Sequence, residues 1–162
     1  MSFAQPALDD LKHCMNTIEL IEPETRQGSK AAVKHHVKDV IRLPLGLLGF
    51  ERVKNYVLLT NPEEQPFMWL QMLEDAKHAF LVVPPALVVP GYQPDISDSD
   101  VEFLGLRAAE DAVILNIVTL RRGGATVNLK GPIIINRHTL VGKQVIPNNA
   151  ASYDVRHSLK IS

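Results

Sequence analysis

The chain has 162 residues, of which 46% are hydrophobic and 22% charged, and its formal net charge is −1. This length suits a single domain, and the composition excludes a disordered chain. The lone Cys14 excludes an internal disulfide, and three prolines interrupt the longest apolar run, Phe80–Pro90, so we expect a cytoplasmic protein without a signal peptide or a membrane span.

Residues 1–30 differ in character from the rest of the chain. Their apolar side chains recur at three- and four-residue spacing, which predicts a short amphipathic helix: Leu8, Leu11, Met15 and Ile18. The segment Glu22–Thr25 ends this pattern, and Gln27–Lys30 is typical of a linker. We interpret residues 1–30 as an N-terminal extension, either a short helix or disordered, and residues 31–162 as one domain.

From Val33 onward the pattern is mostly that of β-strands. The segment 31–42 fits either a helix or a strand, and Gly46 and Gly49 mark a turn after Pro44. Short runs rich in β-branched and aromatic residues, separated by glycine, proline and asparagine, predict strands at 56–60, 67–73, 79–83, 112–120, 126–129, 133–136 and 143–146. We expect seven to nine strands in total.

One helix has clear start and stop signals. Ser99 and Glu102 stand at the spacing of a capping box, and Gly105 stands where a helix often ends in a left-handed residue. Long helices do not alternate with the strands, so a parallel sheet is not expected. The predicted fold is mainly β, a small antiparallel β-barrel-like domain with one or two short helices.

Patterns of reactive chemistry are missing from the sequence. The adjacent His35 and His36 would point to opposite faces of a strand, and His138 and His157 have no cysteine or carboxylate cluster beside them. No serine lies in a nucleophile elbow, and Gly46–Gly49 lacks the residues of a phosphate loop. We therefore expect a protein that is not an enzyme and has no metal or cofactor; a small hydrolase with an unrecognised site is the contrary hypothesis.

Charge is unevenly distributed along the chain. Six acids face one base between Asp95 and Asp111, a balance of −5, whereas seven bases face one acid from Arg121 to the end, a balance of +6. The acidic stretch is either a solvated face or a docking surface for a basic protein. The basic stretch makes a nucleic-acid-binding module the alternative function, although Tyr153 is its only aromatic residue.

Read in order, several blocks resemble the FliW family of flagellar assembly factors. The resemblance spans residues 31–160 and rests on Leu43–Phe50, Tyr56–Leu59, Pro66–Gln71, Ala79–Val83, Asp95–Leu106, Val113–Thr119, Thr126–Asn136, Gly142–Ile146 and Tyr153–His157. The chain departs from the family pattern at Leu43 and Leu45, where an aromatic residue and a glutamate are usual, and at Gly131, where an alanine is usual.

The resemblance implies a cytoplasmic protein that binds flagellin as a chaperone and antagonises the translational regulator CsrA, without binding nucleic acid directly. Flagellin would occupy the protein while it accumulates, and its export would free the protein to capture the regulator.

Candidate partner-binding residues follow from the acidic stretch and its apolar neighbours. We predict that the carboxylates form a docking rim: Asp95, Asp98, Asp100 and Glu102. Three apolar residues flank them, Tyr92, Phe103 and Leu104, and they would form a groove for a partner helix if they are exposed. Asn128 and Lys130 either anchor a backbone-recognition edge or have a structural role in a turn.

Overall fold

The computed structural model describes residues 40–160, and within them it confirms the mainly β fold. Nine strands form one antiparallel sheet: β1 (Ile41–Arg42), β2 (Asn55–Thr60), β3 (Met68–Met72), β4 (Ala79–Val83), β5 (Ala112–Arg121), β6 (Gly124–Val127), β7 (Ile133–Asn136), β8 (Gly142–Gln144) and β9 (His157–Leu159). A single α-helix in the described range, α1 (Asp98–Leu104), lies between β4 and β5. Predictions for residues 1–39, including the N-terminal helix, lie outside the described residues.

Strands β2, β3 and β4 form a meander. In β3, Met68, Leu70 and Met72 are buried, whereas Trp69 and Gln71 are partly exposed. This alternation is the period of two expected of a strand with one face in a core. Strands β2 and β4 do not alternate in this way, so the period of two identifies the central strand of the meander only.

Strand β5 is the longest strand and organises the sheet. Its first half pairs with β7 and its last four residues pair with β6, so these two short strands lie end to end along one side of it. Strand β4 pairs with Asn116 and Ile117 on the other side. Residues 112–118 are buried or partly buried on both faces, as their continuous apolar run predicts, whereas Thr119–Arg121 are exposed.

The sheet curls until its first strand meets the segment before β8. Arg42 forms a parallel bridge with Val141, and the Arg42 backbone N–H donates to the Leu140 carbonyl at 2.9 Å. Strand β8 pairs with β7, so the contact of β1 with Val141 joins the first strand to the β7–β8 margin and closes the curl there. The prediction of a barrel-like sheet is confirmed.

Three apolar clusters fill the protein. The largest lies inside the curled sheet and includes Ile41, Leu70 and Ile133; a second packs under α1, and a third packs under the segment Pro84–Tyr92. Strand β5 contributes to all three because its two faces alternate. The curled sheet is thus covered from inside and outside at its centre.

A tight glycine turn follows β1. Gly46 has a φ of +69°, and a Cβ atom there would lie 2.6 Å from the Cα of Glu51. Only glycine fits such a position without a backbone shift. The turn buries Leu43 and Leu47 while it leaves Leu45 and Leu48 exposed.

Two details at the C-terminal end differ from the predictions. The strand predicted at 143–146 is shorter, since it ends at Gln144 and leaves Ile146 exposed. Strand β9 was not predicted, because His157–Leu159 contains only one apolar residue and shows no clear alternation. It forms because β6 offers it an unpaired edge.

Candidate partner-binding surface

Helix α1 begins and ends close to the predicted positions. Its N-cap is Ser97, whose hydroxyl accepts the backbone N–H of Asp100 at 3.2 Å, so the predicted capping box of Ser99 and Glu102 is wrong. Gly105 ends the helix with a φ of +64°, as predicted. These caps satisfy backbone groups at both ends of the helix and so define where it begins and ends.

Asp100 lies under the helix rather than on its exposed side. Only 8% of the residue is exposed, and its Oδ1 lies 2.5 Å from the Nζ of Lys143 on β8. Its other carboxylate oxygen accepts the Ser97 hydroxyl at 2.9 Å. Asp100 was predicted as part of a docking rim, but its geometry ties the helix to the sheet.

Two other predicted acids do lie at the surface. Asp98 and Glu102 are exposed, and neither forms an ion pair with any described residue. Phe103 is 43% exposed, and the Lys143 ammonium lies 5.2 Å from its ring centroid. Helix α1 therefore presents two carboxylates beside an exposed aromatic ring that is held in place by a cation.

Asp95 lies just before the helix and is half-buried. Its backbone N–H donates to the Asn149 side chain at 2.9 Å, and its carbonyl accepts the Asn148 N–H at 2.7 Å. These bonds connect the segment before the helix to the chain after β8. Asp95 lies near Asp98 in sequence but is embedded in a hydrogen-bonded loop.

Tyr92 and Leu104 belong to the core, with 1% and 2% of their surfaces exposed. The Tyr92 hydroxyl donates to the Leu129 carbonyl at 2.8 Å, and burial raises the pKa of Tyr92 to about 12. An exposed apolar groove formed by Tyr92, Phe103 and Leu104 does not fit these positions. Phe103 is the member of this predicted set that reaches the surface.

Asn128 and Lys130 have a structural role in a turn. The Asn128 side-chain oxygen accepts the Lys130 N–H at 3.0 Å, and the Asn128 carbonyl accepts the side-chain amide of buried Asn116 at 2.7 Å. These bonds shape the break between β6 and β7. The turn role considered from the sequence agrees with this geometry.

The acidic stretch ends at Asp111, which is engaged within the chain. Its Oδ2 accepts the backbone N–H groups of Arg107 and Ala108, at 2.9 and 3.0 Å, and its Oδ1 lies 2.8 Å from His138 Nε2. These partners, the Arg107 amide first, lower the pKa of Asp111. The acidic surface is therefore smaller than the sequence count suggested.

The basic stretch is also divided by the fold. Lys143 is paired with Asp100, and the Arg137 guanidinium donates to the Glu110 carbonyl at 3.0 Å. Four bases remain exposed near β9 and at the tip of the β5–β6 hairpin: Arg121, Arg122, Arg156 and Lys160. These four bases, together with the half-buried Lys130, remain available for the alternative nucleic-acid function.

An exposed apolar loop lies on the other side of β8 and was missed as a candidate site. Leu48 is 84% exposed and Leu45 is 53% exposed, although the loop is well held by its own hydrogen bonds. The Leu48 N–H donates to the side chain of Gln144 on β8 at 2.9 Å. The sequence signal that could have indicated exposure is the crowding of four leucines, at positions 43, 45, 47 and 48, around the turn at Gly46 and Gly49, because a turn this short cannot bury all of them.

Within residues 40–160, no three histidine, cysteine, aspartate or glutamate side chains gather closely enough to hold a metal ion. No helix in this range has the length and apolar character needed to cross a membrane. The arrangement offers charged and apolar surface, and no group of reactive side chains converges in the described part.

Comparison with known proteins identifies the family. The family model described as FliW protein matches residues 24–159. The chain belongs to the FliW family. A flagellar assembly factor FliW from Leptospira biflexa serovar Patoc is 40% identical over 126 residues, which cover 76% of this chain and 79% of the relative. One from Leptospira interrogans serovar copenhageni is 37% identical over 142 residues and covers 86% and 93%.

A solved structure supports the same assignment. The crystal structure of a flagellar assembly factor FliW matches with a TM-score of 0.72 and 34% sequence identity, covering 80% of this chain and 91% of that one. The mainly β fold predicted from the sequence and the resemblance to the FliW family are thus both confirmed. FliW relatives are named as assembly factors rather than as enzymes, and this chain is assigned to flagellar assembly with them.

Proposed function

We propose that this protein is a cytoplasmic, non-enzymatic flagellar assembly factor that binds flagellin as a chaperone and antagonises the translational regulator CsrA. Helix α1 carries the proposal, because it presents the exposed carboxylates of Asp98 and Glu102 beside the exposed ring of Phe103. An apolar contact with an acidic rim suits a partner helix that carries basic residues.

The stability of the helix supports this role. The pair between Asp100 and Lys143 fixes α1 to β8, and the Lys143 ammonium also holds the Phe103 ring. A surface that is already ordered loses less conformational entropy when a partner binds. Asp100 contributes to binding by this route, through the position of the helix.

Partner exchange then follows from mass action. Flagellin that has not been exported occupies the assembly factor and lowers its free concentration, so the regulator stays unbound and represses translation. Export of flagellin releases the assembly factor, which captures the regulator. The exposed carboxylates would also disfavour RNA on the captured regulator, because like charges repel.

Charge reversal at the helix tests the proposal. Glu102→Lys should weaken binding of purified CsrA about 5- to 10-fold at low salt, and less at high salt because exposed charges are screened. Glu63→Lys is the matched control, since Glu63 is exposed on a different segment and the charge change is the same. Isothermal titration with CsrA and with flagellin, at two salt concentrations, measures both affinities.

Equal affinities of the Glu102→Lys and Glu63→Lys variants would remove α1 from the binding surface. A failure of the wild-type protein to bind either partner would overturn the proposed function itself. Direct, salt-sensitive RNA binding by the wild-type protein alone would instead favour the nucleic-acid-binding alternative, carried by the four exposed bases near β9.

A further inference from the structure

Strand β9 is an outer edge of the sheet. It pairs with β6 on one side, and no strand of the described residues pairs with it on the other. The opposite margin is different, because β1 meets the segment before β8 through the bridge between Arg42 and Val141. An open edge offers unpaired backbone donors and acceptors to an extended chain.

The hydrogen bonds of the two residues that follow β6 show which residues of β6 face β9. Asn128 donates its backbone N–H to Ile117 of β5 at 2.9 Å, whereas Leu129 donates to Asp154, just before β9, at 3.0 Å. In an antiparallel sheet, successive residues direct their backbone polar groups to opposite neighbours. The odd-numbered residues of β6 therefore bond to β9.

The same alternation identifies the free groups of β9. Ala125 pairs with Leu159 and Val127 pairs with His157, so these two residues of β9 direct their N–H and C=O groups toward β6. Ser158 lies between them and directs its N–H and C=O away from the sheet. Ser158 is also exposed, so an incoming strand can reach both groups.

A pocket lies beside this edge. It has a volume of about 310 Å³, and its lining includes His157 of β9 together with Val89, Pro90, Leu129 and Tyr153. The apolar part of this lining suits one aliphatic side chain. Strand addition commonly combines backbone bonds at an edge with a pocket for a side chain of the added strand.

The charge around the edge is basic. Arg156 and Lys160 flank β9, and Arg121 and Arg122 lie at the tip of the β5–β6 hairpin, next to Lys160 in the register. All four are exposed and form no ion pair with another described residue. Asp154 is the nearby exposed acid, so the balance is strongly positive.

From these features we propose that β9 binds an extended acidic segment of a partner protein as an added β-strand. Backbone bonds to Ser158 would set its register, acidic side chains would face the four bases, and one aliphatic side chain would enter the pocket. Helix α1 packs over the start of β5, at Ala112 and Ile114, whereas this surface lies beside the other end of β5, so it is separate from the proposed docking helix.

An extended peptide suits this edge better than RNA does. The Tyr153 ring packs edge-to-face on Tyr92 at 4.7 Å, and its hydroxyl donates to the Gln93 carbonyl at 3.0 Å, so the ring is held by contacts within the protein and less of it is available to stack on a base. Single-stranded RNA binding depends strongly on such stacking. The free backbone groups at Ser158 favour an amide backbone as the ligand.

Proline substitution tests the edge with little disturbance of the fold. Ser158→Pro removes the outward N–H but no bond to β6, and proline is tolerated at such edge positions. Ser158→Ala keeps the N–H and is the control. The probe is a fluorescein-labelled peptide of about eight residues, alternating glutamate and valine, with binding followed by fluorescence anisotropy at low salt.

Ser158→Pro should weaken peptide binding about tenfold or more, whereas Ser158→Ala should stay within about twofold of wild type. A peptide methylated at alternate backbone nitrogens supplies a second test that needs no variant, and it should bind wild type at least about tenfold more weakly than its parent. Circular dichroism checks whether Ser158→Pro folds. If it does not, the methylated peptide decides the question, because that test uses the wild-type protein.

Several results would overturn the proposal. The wild-type protein could fail to bind the acidic peptide, or the methylated and parent peptides could bind equally well. Single-stranded RNA that binds more tightly than the peptide and displaces it would assign the four bases to nucleic acid instead. The two peptide outcomes are independent of whether Glu102→Lys affects CsrA, so they separate a failure of this proposal from a failure of the proposed function.

Discussion

The ion pair between Asp100 and Lys143 should stabilise the fold more than a surface pair does. The side chains are 11% and 26% exposed, so the pair lies between the exposed and the buried limits. Exposed pairs contribute about 0.2–1 kcal/mol, and breaking a buried pair costs about 3–5 kcal/mol. We expect Asp100→Asn to lower the free energy of unfolding by about 2 kcal/mol, since Lys143 then loses its partner.

A double-mutant cycle measures the coupling directly. Asp100→Asn, Lys143→Met and the double variant are compared with wild type by urea unfolding, and we expect a coupling energy of about 1–2 kcal/mol. Asp98→Asn is the matched control, because it lies in the same helical turn but is exposed; it should change the free energy by no more than about 0.5 kcal/mol. A coupling below about 0.3 kcal/mol would refute the reasoning, because it would show that the pair stabilises the fold no more than an exposed ion pair does.

Three further predictions concern other parts of the fold. Gly46→Ala should lower the free energy of unfolding, measured with urea, by about 3 kcal/mol, because its Cβ would lie 2.6 Å from a backbone atom. Gly49→Ala is the control: Gly49 has a φ of +85° and nothing within 4 Å of the added Cβ, so the loss should be about 1 kcal/mol. Similar losses in the two variants would contradict the clash. Asn136→Ala should cost about 2–3 kcal/mol, measured in the same way, since its buried amide bonds to the end of α1 at 2.9 Å; a cost below about 0.5 kcal/mol would contradict this. Burial raises the pKa of Tyr56 and Tyr92 to about 12, so the folded state keeps protons that the unfolded chain releases above about pH 10. The midpoint of unfolding should therefore decrease as the pH rises from about 10 to about 12, and a constant midpoint would contradict this.

The fold class was predictable because the local signals agreed with one another. The alternation in Met68–Met72, the continuous apolar run of β5 and the glycine after α1 each depend on neighbours in sequence. Strand β9 was not predictable in this way. Its three residues become a strand because β6 presents an unpaired edge, and this long-range pairing leaves little trace in the local pattern.

The candidate site was predicted less well than the fold. Sequence order gives the position of α1, but a short helix has an inner and an outer side, and the orientation of Asp100 depends on Lys143, 43 residues later. Tyr92 and Leu104 are large and largely apolar, and such residues occur both in cores and at binding surfaces. Their residue types therefore do not reveal that they are buried. For the same reason, counting charges along the sequence overestimated both the acidic and the basic surface, since several charged groups bond to distant parts of the chain.

The ten-residue strand β5 has a consequence for how the molecule loses its structure. Leu115 belongs to the cluster inside the curled sheet, Ile114 to the cluster under α1 and Val118 to the third cluster. All three apolar clusters therefore contain side chains of the same strand. Opening any one of them loosens a strand that the other two require, which leaves little room for partial unfolding. The amide protons of β5 should accordingly exchange with deuterium only when the whole described domain unfolds, and a weakening of any cluster should speed their exchange together.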